Sequence, residues 1–84
     1  MNRQERIAEK LTVLKPHYLE IINDSQLHKY HLNTPNTGDS HYTLKIAATK
    51  FKGQKILSIH KIIYDLLSEE FNNGMHALSI NIID

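Results

Sequence analysis

Hydrophobic residues along the chain follow a helical period in two segments and a strand period in three. The first segment carries one apolar stripe at positions i, i+4 and i+7, formed by Ile7, Leu11 and Leu14. This spacing predicts an amphipathic helix. Asn2 is a suitable N-cap, and Glu5, three residues later, completes a capping box. The helix is predicted to end at or before Lys15, because Pro16 disfavours a helical conformation at the preceding residue.

Three segments have the composition of strands. HYLEIIND (17–24) is short, β-branched and aromatic, and HYTLKIAA (41–48) alternates apolar and polar residues. The last segment is MHALSINIID (75–84), whose apolar face is formed by Leu78, Ile80 and Ile82. A long polar loop separates the first two strands and contains the histidine-rich stretch SQLHKYHL (25–32). A loop of this length in a small domain is more often functional than a simple connection.

A second helix is predicted between the second and third strands. Its broad apolar face is formed by Ile59, Ile62, Ile63, Leu66, Leu67 and Phe71. Gly53 lies in the polar turn before this helix, and Asn72, Asn73 and Gly74 supply a left-handed stop after it. The predicted order is therefore helix, strand, strand, helix, strand.

This order predicts a single α+β domain over residues 1–84. The first two strands are expected to be antiparallel neighbours, because a loop joins them without a helix. The third strand is expected to pair in parallel with the second, because a helix connects them. The two helices then cover one face of a three-stranded mixed sheet, which is a two-layer sandwich.

Composition excludes several classes of protein. The 84 residues carry a net charge of +1 and a pI of about 8.1, below the values above ~9 that are typical of nucleic-acid-binding domains. The chain has no cysteine, so no disulfide is expected. The N-terminal segment lacks the apolar region of a signal peptide, and no apolar run approaches the ~18 residues of a membrane span. We therefore expect a cytoplasmic protein that does not associate with membranes.

Six histidines in a chain without cysteine are the main chemical signal. In the predicted topology four of them lie at one end of the sheet, and these are His28, His31, His41 and His76. A single histidine at a strand end more often donates to a nearby carbonyl than binds a metal. For the set of four, metal binding is favoured, because neutral imidazole is a common metal ligand. The H-x-x-H spacing lies in a loop and does not match the helical H-E-x-x-H zinc motif, so we expect a partial site that a partner completes.

Four segments of the chain together match one protein family. They are NDSQLH (23–28), SHYTLKIAATKFKG (40–53), the helix with His60, Tyr64, Leu67 and Glu70, and GMHALSI (74–80). The most specific feature is a glycine followed by H-A-L after an L-x-x-E helix. On these segments the chain resembles the BolA proteins over nearly its whole length. The resemblance implies a small α+β fold similar to a class II KH domain.

The resemblance also implies a function in iron–sulfur chemistry. BolA proteins partner monothiol glutaredoxins and share a 2Fe-2S cluster with them, to which the glutaredoxin contributes its cysteine and a bound glutathione thiol. The BolA chain contributes the histidine of H-A-L and a loop residue, which by position are His76 and His28. His31 is an alternative loop ligand, and His41 a supporting or alternative one. The isolated chain, a monomer or weak homodimer, is expected to bind no cluster, because the thiols come from the partner.

An alternative function implied by the resemblance is transcriptional regulation through DNA binding by the basic region after the second strand. The candidate contacts are Lys50, Lys52, Lys55, His60 and Lys61. The family pattern has an R-H-R triplet where this chain has Ile-His-Lys, and lysine lacks the bidentate fork of arginine. The chain also lacks the GXXG loop of RNA-binding KH domains. We therefore expect DNA binding that is weak and non-specific.

Enzymatic activity is not expected from this sequence. His28, Asp39, Ser40 and His41 can be combined on paper into a hydrolytic triad. However, nothing in the sequence indicates an oxyanion hole or a nucleophile elbow. The sequence therefore predicts a binding function rather than a catalytic one.

Overall fold

The computed structural model describes residues 1–25 and 40–83. The helices and strands of this part of the chain are α1 (Arg3–Leu11), β1 (Tyr18–Asn23), β2 (His41–Ala47), α2 (Ile56–Leu66), α3 (Ser68–Asn72) and β3 (Ala77–Ile82). Short 3-10 helices follow α1 at Thr12–Leu14 and precede α2 at Thr49–Phe51. The predicted order of elements is confirmed, with the second helix divided in two. Most of the polar loop between β1 and β2 lies outside the described residues.

Helix α1 begins with the predicted capping box. The Glu5 amide donates to the Asn2 side chain at 2.8 Å, and the Asn2 amide donates to the Glu5 carboxylate at 3.4 Å. The apolar stripe of this segment is buried, and it consists of Ile7, Leu11 and Leu14. Lys15 adopts a left-handed conformation with φ of 49° directly before Pro16. The helical segment therefore ends where the proline predicted.

The second helical segment is not the single helix that the apolar pattern predicted. Helix α2 ends at Leu66, and Leu67 leaves the helical conformation with φ of −102° and ψ of 15°. The chain then forms α3, in which Glu70 is buried and Phe71 only half-buried. After the break, the Glu70 carboxylate contacts the cations of α1. Gly74 follows α3 with a positive φ of 114°, as expected for the predicted stop.

The sheet has the strand order β1-β2-β3. Strand β1 is antiparallel to β2, and β3 is parallel to it, so both predicted pairings are confirmed. In the register Leu44 of β2 lies between Ile21 of β1 and Ile80 of β3. His41, the first residue of β2, lies beside Ala77, the first residue of β3. Because β2 and β3 are parallel, their starts meet at the same end of the sheet.

The hydrophobic core lies between the helices and one face of the sheet. Its members include Ile7, Leu11, Tyr42, Leu44, Ile46, Phe51, Ile59, Ile63, Leu67, Met75 and Leu78. On β2 the alternation of buried and half-buried residues places Tyr42, Leu44 and Ile46 towards the helices, as predicted. Each large apolar side chain buried in this way contributes about 1.5–3 kcal/mol to the hydrophobic stabilisation. The core therefore fixes which face of the sheet the helices cover.

Glu70 is a buried charge that joins α1 to α3. Its side chain is 3% exposed and accepts from Arg3 Nε, Arg6 Nη2 and Lys10 Nζ, each at 3.0 Å. The hydrogen bonds from Arg6 are the largest cause that lowers the pKa of Glu70 to about 2, and they outweigh burial, which raises it. Arg3 also donates from Nη2 to the Asn73 carbonyl at 2.6 Å. The cluster thereby connects α1 to the turn that leads into β3.

Glu70→Gln is expected to lower the free energy of unfolding by about 3 kcal/mol at neutral pH, because it leaves the buried guanidinium of Arg3 without its carboxylate. The matched control is Glu69→Gln, since the Glu69 side chain is 79% exposed and contacts Lys10 at 3.3 Å. The control should change stability by less than about 0.5 kcal/mol. Urea denaturation followed by circular dichroism measures both variants. Equal losses in the two variants would contradict the role of Glu70 as an anchor.

The same cluster predicts an acid-dependent loss of stability. The pKa of Glu70 is about 2 in the folded chain and 4.5 in the reference state. A carboxyl group with a lowered pKa stabilises the fold fully above its unfolded value, and this contribution is lost as pH falls through its folded value. Between about pH 5 and about pH 2.5, the wild type should therefore lose more stability than Glu70→Gln. Parallel stability curves for the two proteins in thermal unfolding would refute this expectation.

Candidate functional site

Two of the predicted site histidines meet at the end of the sheet where β2 and β3 start. His41 is the first residue of β2, and His76 directly precedes β3. Their ring centroids are 6.3 Å apart, and the ring planes are inclined by 54°. His76 is exposed to solvent and His41 is half-buried. The structure thus brings this pair together as the topology predicted, while His28 and His31 lie outside the described residues.

The backbone of His76 is held from both sides. The Ser40 carbonyl accepts from the His76 amide at 2.7 Å and from the Ala77 amide at 3.2 Å. On the other side, the amide of the buried Met75 donates to the Glu70 carbonyl at 2.9 Å. These bonds fix the point at which the chain enters β3. The imidazole of His76 therefore projects from a defined position and not from a free turn.

Ser25 lies directly beneath the junction of β1 and β2. It is fully buried, and its hydroxyl oxygen accepts from the Ser40 amide at 2.9 Å and from the His41 amide at 3.1 Å. The Asp24 amide donates to the His41 carbonyl at 2.8 Å and closes the antiparallel pairing. The Asp24 carboxylate also accepts a hydrogen bond from the Thr43 hydroxyl. The end of the sheet is therefore closely hydrogen-bonded around His41.

The His41 ring has a defined neighbour at one of its nitrogens. Its Nδ1 lies 2.7 Å from the Ser40 hydroxyl oxygen. A hydroxyl both donates and accepts, so this contact suits either neutral tautomer of the imidazole. In the tautomer with the proton on Nδ1, the ring donates to Ser40 and carries its lone pair on Nε2. Metal-binding histidines commonly donate through their second nitrogen in this way, so the contact is compatible with a ligand role.

The other two described histidines lie away from this pair. His17 precedes β1, and its amide donates to the Ala47 carbonyl at the far end of β2. His60 lies in α2 and lines a surface groove together with Lys61 and Tyr64. This separation agrees with the sequence-based expectation that neither residue belongs to the histidine group at the start of β2.

The described residues contribute nitrogen donors to this site and no thiolate. Residues 1–25 and 40–83 contain no group of three or more His, Asp or Glu side chains arranged to hold a metal ion. The sequence contains no cysteine. The described imidazoles at this end of the sheet are those of His41 and His76. Their role as ligands stays a prediction, as does that of His28 and His31.

Two of the lysines predicted to contact DNA line different surface depressions. Lys52 lines a cleft of about 730 Å³ at one end of the molecule, whereas Lys61 lines the groove beside α2. Lys50 donates to a backbone carbonyl near the end of the first helical segment at 3.2 Å. Two exposed aliphatic residues, Ile56 and Leu57, follow Lys55 and are 65% and 82% accessible. The region is therefore mixed apolar and basic rather than a continuous cationic surface.

Two of the four residues considered for a hydrolytic triad, Ser40 and His41, lie in the described part of the chain. Ser40 and His41 are in contact, but Ser40 is buried and its amide and carbonyl join the strand ends. Asp39 and His28 lie outside the described residues. The Ser40–His41 contact is thus accounted for by the strand junction.

Sequence reasoning missed the framework that holds the two histidines. The Ser40 carbonyl accepts hydrogen bonds from the amides at the start of β3. Glu70 contributes both its buried carboxylate and its carbonyl, which accepts from the Met75 amide. A signal for Ser25 and Ser40 was present, since small hydroxyl residues stand at the start and the end of the polar loop. No sequence signal indicated that Glu70 is buried, because acidic residues are rarely buried unless paired.

Comparison with known proteins identifies the family of this chain. A family model described as "BolA-like protein" matches residues 11–83. The chain belongs to the BolA-like family. It is 37% identical over 84 residues to the UV-induced protein uvi31 of Schizosaccharomyces pombe, covering 95% of this chain and 82% of that protein. It is 34% identical over 79 residues to the DNA-binding transcriptional regulator BolA of Escherichia coli, covering 93% and 71% respectively.

Solved structures of BolA proteins have the same fold. BolA1 from Arabidopsis thaliana superposes with a TM-score of 0.85 at 35% identity, covering 98% of this chain and 90% of that one. The BolA domain of SufE1 from Arabidopsis thaliana superposes with a TM-score of 0.84 at 37% identity, covering 98% and 91%. The BolA-like match spans 23% of the whole SufE-like protein 1 of that plant. The BolA-like fold therefore occurs both as a small protein and as a domain of a larger one.

These comparisons also bear on the class of function. The family model is described as a BolA-like protein and the Escherichia coli relative is named a transcriptional regulator, and neither description indicates an enzymatic family. Among the described residues, no helix is long and apolar enough to cross a bilayer.

Proposed function

We propose that this BolA-like chain is the partner of a monothiol glutaredoxin and co-ligates a 2Fe-2S cluster through histidines. The ligands in this proposal are His76 and His28, with His31 and His41 as alternates. The observation that carries the proposal is the exposed His76 at the start of β3, beside which the alternate ligand His41 lies at a ring-centroid distance of 6.3 Å. The role is iron–sulfur cluster trafficking, or regulation in response to iron, redox state or stress.

The donor chemistry of the chain fits half of such a cluster. Protein iron–sulfur clusters are usually held by four cysteine thiolates, and two histidines can replace two of these on one iron. This chain has histidines at the end of the sheet and no cysteine in its sequence. The partner glutaredoxin and glutathione supply the two thiolates in this proposal. When bound, a cluster with imidazole ligands supplies one-electron chemistry at a higher potential than a cluster with thiolates alone.

The accessibility of the histidines suits a site that two proteins share. His76 is exposed, so its imidazole can reach a ligand held partly by another protein. Its backbone is fixed by the Ser40 and Glu70 carbonyls, so exposure does not leave its position undefined. His41 lies beside it, and Ser40 contacts its Nδ1. The chain thus supplies an accessible imidazole on a rigid support.

DNA-binding transcriptional regulation is the alternative function, and two observations favour it. The Escherichia coli relative is named a DNA-binding transcriptional regulator, and Lys52, Lys55 and Lys61 are exposed. Against it stand the exposed aliphatic side chains of Ile56 and Leu57 in the same region. Aliphatic side chains make no favourable contact with the charged phosphates of DNA, so the shared cluster is retained as the first proposal.

A cytoplasmic location is part of the proposal, as is a monomeric or weakly dimeric state of the free chain. A location that gives access to DNA agrees with the name of the bacterial relative. Some plant relatives are named as chloroplastic or mitochondrial. Cell fractionation with an antibody to this chain distinguishes these locations.

The decisive experiment mixes the chain with a monothiol glutaredoxin, glutathione, iron and sulfide without oxygen. We expect a coloured heterodimer, while the chain alone stays colourless because it contributes no thiolate. His76→Ala should abolish the absorption and visible circular dichroism of the mixed species. His60→Ala is the matched control, since His60 lies in α2 away from the pair, and it should keep the wild-type spectrum. Loss of the spectrum in His60→Ala with retention in His76→Ala would reject the assigned ligands.

The loop histidines are tested in the same assay. His28→Ala should weaken the mixed spectrum, and His31 should compensate in part because both residues lie in the same loop. The double variant should therefore lose more signal than either single variant. An unchanged spectrum in the double variant would exclude both residues and leave His41 as the second ligand.

The DNA-binding alternative makes a separate prediction about salt. Binding through lysine–phosphate contacts should weaken steeply with salt, with a slope set by the number of phosphates neutralised. We expect weak and non-specific binding at physiological salt in fluorescence anisotropy. The Lys52→Ala, Lys61→Ala double variant should reduce the salt slope by about two. A tight and sequence-selective complex that this variant abolishes would make DNA binding the first proposal.

A further inference from the structure

The backbones of His41 and His76 are held by hydrogen bonds in which neither imidazole takes part. In the described contacts, the Ser25 side chain bonds to the backbone amides of both Ser40 and His41. Its hydroxyl oxygen accepts from the Ser40 amide at 2.9 Å and from the His41 amide at 3.1 Å. The hydroxyl also lies 3.4 Å from the His41 carbonyl oxygen, to which it donates. One buried side chain thus holds three backbone groups of two consecutive residues.

The position of the Ser40 peptide in turn determines where β3 begins. The Ser40 carbonyl receives two successive amides, those of His76 at 2.7 Å and Ala77 at 3.2 Å. A shift of this carbonyl therefore moves the backbone from which the His76 imidazole projects. The Ser40 hydroxyl meanwhile lies 2.7 Å from His41 Nδ1. Both imidazoles consequently depend on the placement of the same dipeptide.

From this arrangement we propose that Ser25 is a positioning residue, whose buried hydroxyl sets the separation of the His41 and His76 imidazoles through the Ser40–His41 backbone. The inference rests on the proposed function only for its consequence, because the separation of the two imidazoles affects function when both face a ligand shared with a partner. In the described contacts the hydroxyl bonds to backbone groups of Ser40 and His41 and not to their side chains. Its effect is on the distance and orientation at which the rings are presented.

The sheet does not need Ser25 for its register. The antiparallel pairing of β1 with β2 continues to the bond from the Asp24 amide to the His41 carbonyl at 2.8 Å. Ser25 acts one residue beyond that bond and is seated by its own amide, which donates to the Asn23 side chain at 2.9 Å. Removal of the hydroxyl should therefore disturb the strand ends and leave the core strands paired. This separation allows a positioning role to be distinguished from a general structural one.

The test compares Ser25→Ala with Ser79→Ala, which removes an exposed hydroxyl from β3 beside Thr43 of the neighbouring strand. Ser25→Thr keeps the hydroxyl and serves as the conservative rescue. The first measurement uses the free chain and nuclear magnetic resonance. In the wild type we expect a ring-to-ring Overhauser effect between His41 and His76, and in Ser25→Ala we expect its loss together with shifts of both ring signals. The methyl signals of Leu44 and Ile63 should stay unchanged.

The second measurement uses the complex with glutaredoxin, glutathione, iron and sulfide. Loss of a residue that orients metal ligands typically lowers metal affinity about 10- to 100-fold, and we expect a loss of that order for Ser25→Ala with an altered visible circular dichroism. Ser79→Ala should match the wild type, and Ser25→Thr should restore the wild-type spectrum. Unchanged ring signals in folded Ser25→Ala would overturn the proposal. A cluster signal that falls only in proportion to the unfolded fraction would overturn it as well.

Two further outcomes keep the inference separate from the proposed function. If the wild type forms no cluster with the glutaredoxin, the proposed function fails, and the ring measurements on the free chain still decide the role of Ser25. If Ser25→Ala does not fold, amide hydrogen exchange in the wild type tests the role of Ser25 instead. Slow exchange of the Ser40 and His41 amides, with wild-type ring signals in Ser25→Thr, supports the proposal. Rapid exchange of these two amides overturns it.

Discussion

A buried carboxylate needs compensating charge, and the compensation of Glu70 connects α1 to α3 and to the turn before β3. Three cationic side chains of α1 reach it at 3.0 Å. Arg3 extends the connection to the Asn73 carbonyl, and the Glu70 carbonyl receives the Met75 amide. Because an unpaired buried charge is strongly unfavourable, α1, α3 and the turn before β3 cannot easily be displaced independently. The residue that follows this turn is His76, so the electrostatic anchor also supports the site.

The site combines a rigid support with an accessible side chain. Parallel pairing brings the starts of β2 and β3 together, and the Ser40 carbonyl holds both the His76 and Ala77 amides. The described hydrogen bonds of this support are made by backbone and hydroxyl groups, and the exposed imidazole of His76 takes no part in them. This division between support and donor is what a ligand shared by two proteins requires.

Much of the fold and part of the site follow from local pattern. The capping box, the alternation of β2 and the helix between β2 and β3 are local features, and they predict the order of elements and the strand pairings. That topology also places His41 and His76 at one end, because parallel strands start together. The helix break at Leu67 and the burial of Glu70 were not predictable from local pattern, since the Glu70 carboxylate is paired with cations of a helix 60 or more residues away.

The sequence by itself determined the elements, their order and the chemistry available to the chain, because capping, periodicity and the absence of cysteine are properties of short segments or of composition. Only the tertiary structure decided which groups hold the histidines. Ser25 and Ser40 are 15 residues apart, and Ser40 and His76 are separated by most of the second half of the chain. Hydrogen bonds between such residues form only once the strands have paired, so their partners depend on the register of the sheet and on the packing of the helices against it.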